Sequence, residues 1–271
     1  MGAISQQRAS EYFGHDLRDS GWPQTVSTDS NPVEWFPAPS GLELGEADLH
    51  LWRASLDCDA SVLSRLQATL SPDEVARADR FIFPADRNRF VAARGILREL
   101  LGAYSRLPPA KLKFRYGNHG KPALDANTSD SALQFNLSHA GGLAIYAFSR
   151  GRELGVDVEQ IRPQLAGDEI ARRYFAPSEV AELQALPARL RPDAFFLCWT
   201  RKEAYVKAHG AGLSLPLDSF TVSLTPGPGV ELQAADGARW SVESLEPGPG
   251  FAAAIVVERG GWTKSCWHWN P

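Results

Sequence analysis

Cysteine is scarce in this 271-residue chain: Cys58, Cys198 and Cys266 are the only three, too few and too scattered for a disulfide framework or a zinc site. Such usage fits a reducing, cytoplasmic setting. Long apolar runs are missing too. The longest, at 143–148 and 251–257, fall far short of the ~20 residues that cross a bilayer, and the N-terminal stretch lacks a basic-then-apolar export signal. No charge dominates: 28 Lys+Arg face 32 Asp+Glu for a formal net charge of −4, and the pI is near 5.9. Bulk attraction to nucleic acid or to an anionic membrane is thereby excluded. There is no Gly-x-Ser-x-Gly elbow either, which argues against a serine hydrolase. What is present is globular, 44% hydrophobic and 22% charged, with room for one large or two small domains.

Residues 1–46 are rich in Ser, Gln, Asp, Gly and Pro, and Tyr12, Phe13, Trp22, Trp35 and Phe36 follow no helical or strand period. This reads as an irregular N-terminal extension. Its 33–39 stretch is expected to lie extended across the body, because Pro32, Pro37 and Pro39 keep it out of helices. The regular fold starts at 48–56, whose alternation is that of a half-buried strand. Ser71 as N-cap, Pro72 at the first helical position and Glu74 reaching back to the Ser71 amide predict a helix as far as Arg80. A second helix is expected over 86–105, ended by Leu107-Pro108-Pro109, with strands at 112–116 and 134–137.

The second half echoes the first. Ser71-Pro-Asp-Glu-Val-Ala-Arg-Ala has its counterpart in Ala176-Pro-Ser-Glu-Val-Ala-Glu-Leu, each followed by a longer helix, around Arg94 in one half and Lys202 in the other. Strands at 220–224, 240–245 and 252–257 complete the second half. The expected class is α+β: two similar α/β halves, 47–149 and 150–260, with a cleft between them and a C-terminal tail at 261–271.

Three clusters could carry chemistry. In Gly155-Val-Asp-Val-Glu159 the side-chain period of two puts Asp157 and Glu159 on one face; spacing alone leaves open a solvent-facing edge or a pair of oxygen ligands for Mg²⁺. On the helix expected at 192–209, Phe196, Trp199, Glu203 and Val206 form one stripe, so Glu203 sits on an apolar face. It is either paired with Lys207 one turn on or used as a metal ligand or base, with Lys202 and Lys207 facing an anion. Phe135-Asn-Leu-Ser-His139-Ala-Gly-Gly142 ends a strand in a polar Ser138–His139 pair followed by glycines that let the chain approach a ligand. Upstream, Gly120-Lys121-Pro122 forms a rigid basic turn, and Arg87, Arg89, Arg94 and Arg98 make the preceding helix basic.

In their order and spacing, these motifs resemble the 4′-phosphopantetheinyl transferases of the larger, pseudo-dimeric type that activate nonribosomal peptide and polyketide synthases in pathways such as antibiotic biosynthesis. The resemblance spans about 48–257. It rests on Leu70-Ser-Pro-Asp-Glu-x-x-Arg-Ala-x-Arg-Phe81, Gly120-Lys-Pro122, Phe135-Asn-Leu-Ser-His139, Gly155-Val-Asp-Val-Glu159 and Trp199-Thr-Arg-Lys-Glu-Ala-Tyr-Val-Lys207. It implies a fold in which two fused copies of a smaller synthase form one enzyme, and a Mg²⁺-dependent transfer of the 4′-phosphopantetheine arm of coenzyme A to a serine of acyl- or peptidyl-carrier domains. Asp157, Glu159 and Glu203 would hold Mg²⁺ against the pyrophosphate, with Lys202 and Lys207 on its oxygens. His139, Arg94 and Arg77 would grip the 3′-phosphate, and Lys121, Pro122 and Ser138 would line the adenine pocket. Glu203, or a water it orients, would take the serine proton, and Mg²⁺ with Lys202 and Lys207 would stabilise the transition state. Glu74 departs from relatives that place a lysine there.

The carrier is expected beside 161–176, with Tyr174 or Phe175 as exposed anchors, and the enzyme is expected to be monomeric. Two other readings remain at this point. One is a Mg²⁺-dependent phosphoanhydride hydrolase. The other is a coenzyme A- or carrier-binding scaffold, favoured if Glu203 does not meet Asp157 and Glu159.

Overall fold

Strand alternation sorts side chains onto two faces of each sheet, and the chain uses both faces to build a layered core. The computed structural model describes residues 34–117, 120–125, 132–210, 212–226 and 229–271; Tyr12, Phe13, Trp22 and Val33 lie outside them. The first half comprises β1 (Phe36–Pro37), β2 (Asp48–Ser55), α1 (Ala60–Gln67), α2 (Pro72–Ala78), α3 (Pro84–Ser105), β3 (Phe114–Tyr116), β4 (Pro122–Leu124), β5 (Leu133–Ala140) and β6 (Leu143–Arg150). In the second half follow β7 (Leu154–Gln160), α4 (Asp168–Tyr174), α5 (Pro177–Ala185), α6 (Arg191–His209), β8 (Thr221–Val222), β9 (Leu232–Gln233), β10 (Trp240–Leu245), β11 (Phe251–Glu258) and β12 (Thr263–His268).

The larger sheet runs β1-β12-β2-β6-β5 and the smaller β10-β11-β7, while β3-β4 and β8-β9 are short separate ladders. On one face of the larger sheet, Trp52, Tyr146 and Phe148 pack with Ile96 and Leu97 of α3. The opposite face gives Leu49, Leu51, Ile145 and Ala147 to a second cluster with Val156, Val158 and Ile255 of the smaller sheet. The outer face of the smaller sheet places Ala252, Ala254 and Val256 against Phe196, Ala204 and Tyr205 of α6. The layers are therefore helix, sheet, sheet, helix. β5 crosses to β7 through the Asn136 side chain, whose Oδ1 accepts the Val156 amide at 2.9 Å.

Two sequence expectations change. The segment expected to be a C-terminal tail is β12, a strand between β1 and β2 that pairs in parallel with both. Its register sets Thr263 against Asp48 and Cys266 against Leu51, partners from the opposite end of the chain that local patterning does not reveal. The Gly141-Gly142 pair forms the tight turn between β5 and β6, both at positive φ, 53° and 84°, as a two-residue hairpin of primed type requires. These glycines serve the turn.

The 34–39 stretch does lie extended. β1 pairs Phe36 with Trp267, the Trp35 indole donates to the Glu246 carbonyl at 2.8 Å, and the Arg53 guanidinium sits 5.1 Å from the Trp35 ring centre. A chain beginning at Glu46 loses these contacts together with buried Leu44, a cost of about 3 kcal/mol at usual burial values. A lowered Tm with transfer activity retained is the expected result of a thermal melt run beside an activity assay. A folded but inactive protein would contradict it.

Candidate active site

Gly155 decides where the site forms. It shares a face of β7 with Asp157 and Glu159, and α6 rests directly on it. A Cβ there would stand 2.7 Å from the Lys207 carbonyl carbon and nearer still to the Ala204 carbonyl oxygen and the Ala208 amide nitrogen. In the β11 ladder, Asp157 and Glu159 lie opposite Ala254 and Ala252, small residues that also admit the helix. This close packing brings the last turns of α6 against the carboxylates. Lys207 Nζ donates to Asp157 Oδ1 at 2.6 Å and to Ser138 Oγ at 3.0 Å, and Ser138 Oγ donates to the same Asp157 oxygen at 2.8 Å. Asp157 Oδ2 is buried and, among the described residues, has no hydrogen-bond partner.

Glu159 and Glu203 add to the same patch. Burial and the neighbouring Asp157 push the Glu159 carboxyl up to about 7; Glu203 adds to the rise, while Lys207 and Arg162 oppose it. Burial and Asp157 also raise Glu203, again against Lys207. Carboxylates that raise one another around an unpartnered buried oxygen make a site short of positive charge. The hard oxygen donors suit Mg²⁺. Among the described residues, no three such side chains are close enough to hold an ion as they stand.

His139, the residue after Ser138 on β5, projects from the opposite face of the strand. Its protein surroundings, followed by the Lys207 and Arg77 cations, hold the imidazole below its ordinary value. Arg77 lies exposed on α2 with its guanidinium 5.4 Å from the Phe90 ring centre. Two cations acting on one imidazole make its surroundings suit an anion. In the β3-β4 ladder, Pro122 stands opposite Tyr116.

A family model described as 4′-phosphopantetheinyl transferase superfamily matches residues 153–256, and one described as 4′-phosphopantetheinyl transferase, N-terminal, matches 52–150. The chain is 43% identical to 4′-phosphopantetheinyl transferase HetI of Nostoc sp., over 87% of this chain and 98% of that relative. This chain belongs to the 4′-phosphopantetheinyl transferase superfamily. It is also 30% identical to 4′-phosphopantetheinyl transferase Sfp of Bacillus subtilis, over 71% of this chain and 84% of that protein. The holo-[acyl-carrier-protein] synthase (AcpS) of Thermotoga maritima aligns with a TM-score of 0.32 and 23% identity, covering 39% of this chain and 62% of that one. As a 4′-phosphopantetheinyl transferase, the protein is an enzyme that moves phosphopantetheine from coenzyme A to carrier proteins.

The transferase's halves share a buried ion pair, and this corrects two expected ligand contacts. Glu74 accepts the Ser71 amide at 3.0 Å, and Glu179 accepts the Ala176 amide at 2.8 Å. Each carboxylate is then met by cations from the long helix of its own half. Arg94 Nε and Arg98 Nε reach Glu74 at 2.8 and 2.6 Å, and Lys202 Nζ reaches Glu179 at 2.7 Å. Burial alone would raise Glu74, but Arg94, the Ser71 amide and Arg98 outweigh it and hold the carboxyl below its ordinary value.

Lys202 also donates to the Leu217 and Phe220 carbonyls at 2.7 and 2.6 Å and is fully buried. All three of these acceptors belong to the second half, and they leave its ammonium no exposed face for a pyrophosphate. Arg94, expected at the 3′-phosphate, is held by Glu74 and by the Tyr116 hydroxyl at 3.1 Å. Lys202→Met leaves Glu179 buried without its cation, so a denaturant titration should show a loss of about 3–5 kcal/mol. A change below about 1 kcal/mol would contradict the structural role.

Other placements differ as well. The Lys121 ammonium, expected at the adenine, is engaged by three protein acceptors in the second half. Ser138, expected at the adenine, has its hydroxyl on Asp157. Phe175, expected to be an exposed anchor, is buried with its ring 5.1 Å from that of Phe195, while Tyr174 is half-buried against Trp199. Sequence reading missed Arg162, whose Nε is buried close to Glu159 without a partner among the described residues. Its only signal was a cation three residues past the second carboxylate.

Proposed function

We propose that Asp157, Glu159 and Glu203 hold Mg²⁺ against the pyrophosphate of coenzyme A, that Lys207 binds its oxygens, and that His139 and Arg77 receive the 3′-phosphate. Pro122 borders the adenine. The observation that carries this reading is the buried Asp157 Oδ2, unpartnered among the described residues, within a carboxylate patch that Lys207 meets at Asp157. When bound, the cation neutralises charge on the pyrophosphate oxygens.

The carrier serine hydroxyl attacks the phosphorus bearing pantetheine, the phosphoanhydride bond breaks, and adenosine 3′,5′-bisphosphate leaves. Glu203, with its affinity for a proton raised, accepts the hydroxyl proton. Lys207 donates to the oxygens on which negative charge grows. We place the carrier beside α4, with half-buried Tyr174 at the contact. The enzyme acts as a monomer in the cytoplasm, without nucleic acid or membrane partners. In support, both halves supply the site from one chain, and no helix among the described residues is long and apolar enough to cross a membrane.

A carrier-dependence assay tests the reaction. Adenosine 3′,5′-bisphosphate should appear only when an apo carrier domain is present, in equal amount to modified carrier. Release from coenzyme A and Mg²⁺ without a carrier would instead support the phosphoanhydride hydrolase.

The cation can be tested by pH. Without it, the raised Glu159 carboxyl contributes stability that is present below its ordinary value of 4.5 and is lost as pH climbs through about 7. Binding Mg²⁺ requires the ionised form, so the Mg²⁺-induced rise in Tm should be larger near pH 8 than near pH 6. An equal rise at both would count against Glu159 as a ligand.

A further inference from the structure

Lys121 reaches out of the first half to three acceptors in the second. Its Nζ donates to Glu153 Oε2 at 3.2 Å, to the Leu154 carbonyl at 3.1 Å and to the Ala208 carbonyl at 3.3 Å. Two of these acceptors have neighbours that matter to the site. Leu154 immediately precedes Gly155, the point on β7 where α6 makes backbone contact, and Ala208 immediately follows Lys207. One ammonium thus joins the two chain segments whose contact places Lys207 against Asp157. It acts where an α-helix exposes carbonyls that lack an intrahelical partner, so a cation is favoured there. Its aliphatic stem lies along the helix end as well, 3.6 Å from where a Gly210 Cβ would be. The Lys121 side chain is about one-fifth exposed.

We infer that Lys121 is a positioning residue: it fixes the last turn of α6 on β7 and thereby sets the reach of Lys207 toward the reacting phosphate. This rests on the transfer reading and goes beyond it, because it assigns the Gly120-Lys121-Pro122 turn a task across the two halves that does not involve touching coenzyme A. A ligand contact and a positioning contact differ in what they change. Loss of a ligand contact weakens binding of the adenosine moiety, whereas loss of positioning leaves that binding intact and lowers the rate at saturating substrate.

The test compares Lys121→Met, which keeps the stem, with Lys121→Arg, which keeps donors, for kcat, for binding of adenosine 3′,5′-bisphosphate by calorimetry, and for Tm. Lys121→Met should lower kcat by about tenfold or more, since small misplacements of reacting groups carry penalties of that order, while bisphosphate affinity changes less than about twofold. Lys121→Arg should recover most of the rate. If Lys121→Met is poorly folded, Glu153→Gln, which weakens only one of the three contacts, should lower kcat in the same direction to a smaller extent. Wild-type kcat in Lys121→Met, or lost bisphosphate affinity at unchanged kcat, would overturn the inference. Failure of the wild-type protein to modify any apo carrier would instead overturn the transfer reading.

Discussion

Replacing Asp157 by alanine should abolish transfer, to below about one-thousandth of the wild-type rate, which is the scale on which a preorganised electrostatic contact acts, while the protein remains folded. Asp157 is 3% exposed, and truncating so buried a group would ordinarily destabilise. Here one carboxylate oxygen has no partner among the described residues, so the native state already bears a desolvation cost that the substitution removes. The partners left behind are Ser138 and Lys207, and the Lys207 side chain is 29% exposed and can turn to water. A Tm close to wild type with no transfer is the expected pair of readings. Transfer within about tenfold of wild type would sink the assignment of Asp157 to the reacting centre.

The second large effect is expected at Gly155. A methyl group there overlaps the α6 backbone at Ala204 and Ala208, and a backbone cannot rotate out of the way as a side-chain tip can. The helix must lift, opening the cluster of Phe196, Tyr205 and Ala254 beneath it. We expect Gly155→Ala to cost more than about 3 kcal/mol in a denaturant titration and to lose activity even where it remains folded, because Lys207 and Glu203 move away with the helix. Gly167→Ala is the control, since no atom lies within 4 Å of the added Cβ and the backbone there is in an ordinary extended conformation at φ −88°. Equal stability of the two variants would refute the close packing of α6 on β7.

Much of this arrangement was legible in the sequence where one short-range rule decided it. The Ser71-Pro72-Glu74 start gives α2, the period-two pattern gives β10 over the expected 240–245, and the face shared by Asp157 and Glu159 is the one that α6 covers. Ser71 and Ala176 stand at equivalent positions in the two halves, and the same offset sets Trp52 and Ala54 opposite Asp157 and Glu159 in the repeat. The duplicated strand thus carries core side chains where β7 carries carboxylates.

The misreadings have physical causes. Lys202 and Lys207 are five positions apart, which on a helix of about 100° per residue turns them roughly 140° from one another. They cannot both face the cleft, and the one nearer Glu203 in sequence is the one turned inward to Glu179. Arg94 looked available because its partner Glu74 lies 20 residues earlier, on another helix. β12 escaped notice because its neighbours in the sheet come from the opposite end of the chain. Lys121 was read correctly as a basic turn, but its acceptors are mostly backbone carbonyls, which no sequence pattern marks.

The most direct test of the account is a crystal structure with coenzyme A and Mn²⁺ in place of Mg²⁺, using anomalous scattering to locate the metal. The account predicts a single strong peak among Asp157, Glu159 and Glu203, with the coenzyme A pyrophosphate beside it, the Lys207 ammonium on a phosphate oxygen, and Lys202 still on Glu179. A metal peak away from these carboxylates, or a pyrophosphate bound without Lys207, would contradict it.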